Sequence, residues 1–211
     1  MIDRMVPLRA AVLAPLCLAS ASPAPARDPQ LWVSNEVSNT ISVIAPRTNA
    51  VTATITVGKR PRGLALSPDR RTVYVALGQD DAVGVIDVAQ GKLTRTIPAG
   101  RDPELVAVSP DGTTLFVSNE EIAHASGVDV QTGRIKFSTQ VGVEPEGIAV
   151  SPDGSKVYVT AETSNTVSVL DAATGRLRKT IPVGENPRTV AVTPDARRAY
   201  EIGRASCRER V

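Results

Sequence analysis

The chain of 211 residues repeats itself every 42 residues. Three kinds of marker return at this interval without slippage. They are a Ser/Thr-Pro-Asp unit at 67–69, 109–111, 151–153 and 193–195, a Gly-x-x-Pro unit at 58–61, 100–103, 142–145 and 184–187, and an aromatic-Val pair at 32–33, 74–75, 116–117 and 158–159. A fixed period of about 20–50 residues is typical of a repeat architecture. The fold must therefore be built from one recurring unit.

Each repeat contains four short segments that are predicted to be strands. They are rich in Val, Ile, Thr and Tyr and alternate apolar with polar residues, whereas no segment of the repeats keeps the apolar spacing of a helix. The predicted inner strands are 62–67, 104–109, 146–151 and 188–193; the second strands are 31–35, 72–77, 114–119 and 156–161; the third strands are 40–45, 82–87, 125–130 and 166–171; the outer strands are 51–57, 93–99, 135–141 and 177–183. The first unit lacks an inner strand.

Four strands in about 40–45 residues is the composition of a propeller blade. The sequence therefore predicts an all-β fold, a β-propeller with four-stranded blades of 42 residues. About four blades are present, and we expect them to form an open arc of a larger ring.

Two tight turns are predicted in each repeat. Ser-Pro-Asp-Gly at 109–112 and 151–154 suits a type I turn, and the aspartate that recurs in every repeat indicates a capping role. A second turn runs from an aspartate to a glycine, as at 129–133, and the first repeat has Asn49 in the glycine position. Asparagine also tolerates positive φ. The proline of Gly-x-x-Pro is expected outside the inner strand, because it lacks a backbone donor.

Both ends of the chain depart from the repeat. Residues 1–26 are predicted to be a signal peptide, because a weakly basic start precedes a short apolar stretch and small-residue cleavage sites. Export would place the repeats, residues 27–200, in the periplasm or outside the cell. At the other end the repeat predicts valine at 201. Residues 201–211 instead resemble the translation of a common sequencing adapter, and we expect them to be a non-native tail.

Composition excludes several classes of protein. Residues 27–200 hold 19 basic and 19 acidic residues, so the formal charge of +2 comes from the two ends. No basic stripe with interleaved aromatic residues is present, and no nucleic-acid partner is predicted. No segment is long and apolar enough to be a transmembrane segment. The two cysteines, Cys17 and Cys207, lie outside the repeats, which excludes a disulfide framework within them.

Four charged residues at one repeat position are the candidate ligand site. Each follows the proline of a Gly-x-x-Pro unit and is predicted to face the mouth of the central channel. They are Arg62, Glu104, Glu146 and Arg188. Around a funnel these side chains could bind a polar or anionic ligand. Alternatively, they pair with one another at a solvated rim.

His124 is the single histidine of the chain and lies near Glu120 and Glu121. It could act as a general base or bind a metal, or it could be an ordinary residue of a surface loop. Asn119, Glu120, Glu121 and Glu162 could hold calcium or form a solvated acidic face. No metal-binding, nucleotide-binding or hydrolase motif is present, so no cofactor and no metal are predicted. His124 and Glu146 are the weak candidates for catalysis.

The units resemble the YVTN family of β-propeller repeats. The match rests on WVSN, FVSN and YVTA at 32–35, 116–119 and 158–161, and on NTISV and NTVSV at 39–43 and 165–169. The resemblance implies an exported propeller that most often has seven blades. Related propellers include lactonases and proteins associated with pyrroloquinoline-quinone-dependent alcohol oxidation, and residues 118–121 and 143–147 are most similar to the latter.

We therefore expect an exported binding module without catalysis. Its loop-rich face would take a partner protein or a small polar ligand at the channel mouth. Two alternatives stay open. One is a lactonase-type propeller enzyme that uses His124 or Glu146. The other is an accessory protein of periplasmic alcohol oxidation whose partner is a quinoprotein dehydrogenase or a c-type cytochrome.

Overall fold

The computed structural model of the protein describes residues 28–203. The whole predicted signal peptide, residues 1–26, and the last residues of the predicted tail, 204–211, lie outside the described residues. In chain order the strands are β1 (Leu31–Asn35), β2 (Thr40–Ala45), β3 (Ala50–Thr56), β4 (Pro61–Leu66), β5 (Thr72–Leu77), β6 (Ala82–Asp87), β7 (Lys92–Pro98), β8 (Pro103–Val108), β9 (Thr114–Asn119), β10 (His124–Asp129), β11 (Ile135–Gln140), β12 (Pro145–Val150), β13 (Lys156–Ala161), β14 (Thr166–Asp171), β15 (Leu177–Pro182), β16 (Pro187–Val192) and β17 (Ala199–Gly203). Between 28 and 203 no helix is long and apolar enough to cross a membrane.

The strands form antiparallel sheets that follow one another along the chain. Three sheets have four strands, in the orders β4-β5-β6-β7, β8-β9-β10-β11 and β12-β13-β14-β15. A three-stranded sheet, β1-β2-β3, precedes them, and a two-stranded sheet, β16-β17, follows. The inner strands β4, β8, β12 and β16 lie beside one another in that order. The predicted propeller blades are confirmed, and within residues 28–203 the first blade has three strands and no inner strand, as expected.

The inner strands begin one residue earlier than predicted, at the proline. Pro61 pairs with Leu77, and the register then shifts before Leu64 pairs with Val75. The prediction that this proline lies outside the strand is wrong. Proline is tolerated because it is the first residue of the strand and its missing donor falls at an irregularity of the ladder. The second strands begin and end at the predicted residues.

The hydrophobic core lies between blades. One cluster joins Ile41 of the first blade to Val75 and Ile86 of the second. A second joins Val83 to Val117 of the third blade, and a third cluster continues to the fourth blade. Apolar side chains on both faces of a sheet are thus covered by the neighbouring sheets, as in a repeat protein whose units stack.

The Ser-Pro-Asp turns are capped by their own aspartates. Oδ1 of Asp153 accepts hydrogen bonds from the Ser151 hydroxyl at 2.5 Å and from the backbone N–H of Ser155 at 3.0 Å. These bonds lower the pKa of Asp153 to about 2. The same bonds recur at Asp69, Asp111 and Asp195. The capping role is confirmed, and Asn49 adopts the expected positive φ of 55°.

Glu201 occupies a position that is valine in the other repeats. β17 pairs with β16 through Gly203, and Glu201 lies opposite Val190 as Val159 lies opposite Ile148. Val159 is fully buried. Oε1 of Glu201 is buried without a hydrogen-bond partner among the described residues, and burial raises the pKa of this carboxyl. Residues 201–203 of the predicted tail therefore continue the ladder.

We expect Glu201→Val to stabilise the protein by about 1 kcal/mol, because an unsatisfied buried carboxylate oxygen is replaced by the residue that the repeat favours. The raised pKa means that the folded state holds the proton more tightly. Glu201 therefore lowers the free energy of unfolding as the pH rises above the pKa that this carboxyl has in the unfolded chain. The gain in urea midpoint should be larger at pH 7 than at pH 4. An equal or lower midpoint at pH 7 would contradict this assignment.

Candidate functional site

The second residues of the inner strands surround one cavity at the channel mouth. The cavity has a volume of about 340 Å³ and is lined by Arg62, Glu104, Glu146 and Arg188, together with Glu36. The structure thus brings together all four residues of the candidate ligand site. Their role in binding stays a prediction.

Glycine allows the inner strands to approach one another. A Cβ atom on Gly63 would lie 2.9 Å from the carbonyl oxygen of Glu104, and one on Gly147 would lie 2.6 Å from that of Arg188. Ser118 adds a direct link, since its hydroxyl donates to the carbonyl of Glu146 on the next blade at 2.8 Å. Residues at equivalent positions of adjacent blades consequently lie within side-chain contact.

Two of the four candidate residues each pair with another of the four that is one repeat away. Nε of Arg62 donates to Glu104 at 2.6 Å, and Nη1 of Arg188 donates to Glu146 at 2.5 Å. Nη2 of Arg188 also binds Glu162 at 2.8 Å. The mutual pairing considered from the sequence is therefore present. It does not exclude a ligand, because the pairs form the wall of an open cavity.

Arg60 is a central residue of the mouth that the sequence analysis missed. Its guanidinium contacts Asp102 at 2.6 Å, Glu104 at 3.1 Å and Glu36 at 3.1 Å. Partial burial opposes the charge of Arg60, but the bonds to Asp102 and Glu36 raise its pKa well above the usual value. The hydrogen bond from Arg60 to Glu36 also lowers the pKa of Glu36. Arg60 thus holds together carboxylates from two different blades.

Gly78 makes room for this arginine. Its position corresponds to Glu36, Glu120 and Glu162 in the other repeats. A Cβ atom on Gly78 would lie 2.7 Å from Oδ1 of Asp102 and 3.2 Å from Cδ of Arg60. The departure from the repeat at residue 78 is therefore what allows Arg60 to reach Asp102.

Glu104 is the most perturbed carboxyl of the site. Its side chain is 3% exposed. Burial and a hydrogen bond with Glu120 raise the pKa of Glu104 to about 8, against the opposing effect of Arg62. Carboxylate oxygens of Asp102, Glu104 and Glu120 lie within 4.8 Å of one another, a spacing that a metal ion could bridge. Here the guanidinium of Arg60 lies among them and supplies positive charge.

Glu146 extends this acidic region to the next blade. Burial raises its pKa, Arg188 opposes the shift, and Glu120 and Glu162 add to it. Arg188 binds Oε1 of Glu146, and no hydrogen-bond partner is found for Oε2 among the described residues. The mouth therefore offers a carboxylate oxygen that can accept a hydrogen bond from a ligand.

The other sequence candidates do not line the cavity, although Glu162 pairs with Arg188 and Glu120 lies 3.8 Å from Arg60 at its edge. His124 is the first residue of β10, and its Nδ1 lies against the carbonyl oxygen of Ile122. Asn119 is fully buried, donates to the carbonyl of Ala99 at 2.9 Å and accepts a bond from Ser126. Its amide is therefore occupied in joining strands, and the calcium hypothesis loses this ligand. Glu121 pairs with Arg101 on the exposed surface.

We expect Gly78→Ala to destabilise the protein by about 1 kcal/mol, because the new methyl group displaces the side chain of Arg60 or Asp102 and weakens their ion pair. Gly184→Ala is the matched control, since nothing lies within 4 Å of the added Cβ there. Thermal unfolding of the two variants measures the difference. Equal melting temperatures would contradict the role given to Gly78.

Comparison with known proteins agrees with the fold. Hydrazine synthase of Kuenenia stuttgartiensis is similar with a TM-score of 0.74 and 26% identity, over 82% of this chain and 51% of that chain. A functionally unknown protein of Desulfotomaculum acetoxidans is similar with a TM-score of 0.72 and 17% identity, over 82% and 58%. The chain therefore spans about half the length of these structures.

Two sequence comparisons add to this. The PE-PGRS family protein PE_PGRS18 of Mycobacterium tuberculosis is 55% identical over 38 residues, which is 18% of this chain and 8% of that protein. The model of the YNCE-like beta-propeller family matches residues 2–124, more than half of the chain. With four-stranded sheets in series and this match, the protein belongs to the YNCE-like beta-propeller family.

Proposed function

We propose that this protein is an exported binding module that takes a small polar ligand, or side chains of a partner protein, at the mouth of its channel without catalysis. One observation carries the proposal. Charged side chains from successive blades line a single open cavity of about 340 Å³. Ligand sites are typically concave regions with a few convergent polar groups.

The charges of the mouth favour a ligand with cationic or hydrogen-bond-donating groups. Three arginines face six carboxylates, a surplus of three negative charges when all are ionised. They are Arg60, Arg62 and Arg188, against Glu36, Asp102, Glu104, Glu120, Glu146 and Glu162. Each arginine is already bound to carboxylates, so an anionic ligand would have to displace them. Of the two kinds of ligand expected from the sequence, polar or anionic, these charges favour the polar one.

The repeat family, the partner protein and the cellular location are part of the same proposal. Assignment to the YVTN repeats, and to the subgroup associated with pyrroloquinoline-quinone-dependent oxidation, rests on the resemblance in sequence. A quinoprotein dehydrogenase or a c-type cytochrome as partner rests on that resemblance alone. The periplasmic or extracellular location rests on the predicted signal peptide, residues 1–26.

We expect agmatine, a small molecule with an amine and a guanidinium group, to raise the melting temperature of the protein more than succinate or glucose at equal concentration. Glu146→Gln should weaken agmatine binding about tenfold, because a charge-assisted hydrogen bond contributes about 1.5–3 kcal/mol. Titration calorimetry measures the affinity. Glu185→Gln is the matched control, since it removes one charge from an exposed loop on the same side, outside the cavity. Equal weakening by both variants, or tighter binding of succinate, would refute a cation-binding mouth.

A lactonase-type enzyme is the second candidate, and one observation favours it. Burial raises the pKa of Glu104 to about 8 beside the cavity, and a carboxyl whose pKa is raised in this way is suited to act as a general acid. Hydrazine synthase, which has a similar fold, is an enzyme.

The two candidates differ in one measurement. We expect the 211-residue chain not to hydrolyse γ-butyrolactone above the uncatalysed rate, as followed by acid release in a pH-stat. A hydrolysis rate that falls as the pH rises through about 8, and that is lost in Glu104→Gln, would instead establish the enzyme.

A further inference from the structure

The near-zero charge of the repeats is the sum of two oppositely charged faces. The loops on the side of the cavity form the mouth face, residues 36–39, 57–60, 78–81, 99–102, 120–123, 141–144, 162–165 and 183–186. These loops contain nine acidic and three basic residues, a net charge of −6. The cavity residues Arg62, Glu104, Glu146 and Arg188 do not change this sum.

The opposite ends of the blades carry the reverse charge. We call these ends the turn face: residues 46–49, 67–71, 88–91, 109–113, 130–134, 151–155, 172–176 and 193–198, with the two strand residues on either side of each turn. Seven aspartates lie there, against eleven basic residues, a net charge of +4. The basic residues are Arg47, Arg70, Arg71, Lys92, Arg134, Lys136, Lys156, Arg176, Arg178, Arg197 and Arg198.

The acidic residues of the turn face are engaged inside the turns. Asp129, for example, accepts bonds from the backbone N–H and the hydroxyl of Thr132 at 2.8 Å. The exposed basic residues differ, because most of them form no ion pair among the described residues. Those without one are Arg70, Arg71, Lys92, Arg134, Arg176, Arg197 and Arg198. Their charges are directed to solvent.

The shape of this face selects among anionic partners. The turn tips of successive blades lie at the same end of the sheets, so the guanidinium groups form a broad array that suits an extended anionic surface. The turn segments contain no aromatic residue on which a nucleic-acid base could stack. Guanidinium groups bind phosphates through paired hydrogen bonds, and basic clusters are attracted to anionic headgroups.

We propose that the turn face docks on the anionic headgroups of a lipid bilayer. The acidic mouth face is then repelled by the same surface, so the protein is oriented with its cavity open to solution. This inference is independent of what the cavity binds. Each basic residue near such a surface increases binding about fivefold, and a surplus of four charges gives weak, reversible docking.

The repeat supplies a substitution that preserves the turn. Arg70→Gly with Arg71→Thr converts the turn at 67–71 to the sequence of residues 109–113 and removes two positive charges. Lys59→Ala with Arg101→Ala is the matched control, because it removes two positive charges from the mouth face. Both variants keep residues 1–27 and 204–211, so any binding by those segments is the same in each.

The test is cosedimentation of the 211-residue chain with vesicles of phosphatidylglycerol and phosphatidylcholine, and with phosphatidylcholine alone. We expect binding only to the anionic vesicles, release in 0.5 M NaCl, and about tenfold or greater weakening in Arg70→Gly/Arg71→Thr with no weakening in the control variant. Equal binding to neutral vesicles, equal loss in both variants, or tighter binding of a DNA duplex than of anionic vesicles would each overturn the proposal.

Discussion

The close approach of neighbouring inner strands is the constraint on which the site depends. Gly63 and Gly147 leave no space for a Cβ atom between one inner strand and the carbonyl groups of the next. At this separation a side chain lies beside its counterpart 42 residues later, and Arg62 meets Glu104 as Arg188 meets Glu146. Residues that are 42 positions apart in the sequence are thus in contact in the structure.

The same geometry sorts charge by position within the repeat. The tight turns of every repeat lie on the turn face. The loops that alternate with them along the chain lie on the mouth face. Acidic residues are concentrated on the mouth face and basic residues on the turn face. A sum over the sequence cancels the two, which is why the composition indicates a neutral protein while each face is strongly charged.

The period alone predicts most of the fold. Blades, strand order, the missing inner strand of the first blade and the capping aspartates all follow from residues that recur in every unit. The proline-led start of the inner strands does not, because propensity disfavours it and only the irregular ladder accommodates it.

Only those residues of the candidate site that share one repeat position could be predicted from the sequence. Arg62, Glu104, Glu146 and Arg188 share one repeat position, so the sequence places them on one rim. Arg60 contacts Glu36, Asp102 and Glu104, which occupy three different repeat positions on two other blades, and it depends on the absence of a side chain at Gly78. Asp102 lies one repeat after Arg60, whereas Glu36 and Glu104 lie at other repeat positions, so the period alone does not bring these residues together.

Comparison of the repeats with one another separates scaffold from site. The turn aspartates are the same in every unit because every turn needs the same cap, whereas the residue after the inner-strand proline changes from arginine to glutamate and back. Variation costs little stability at the mouth, where a charged side chain finds water or an opposite charge. It costs more at Glu201, where a buried carboxylate oxygen has no partner among residues 28–203. The copies therefore differ where solvent reaches a charged side chain, and at the mouth four such differing residues line one cavity.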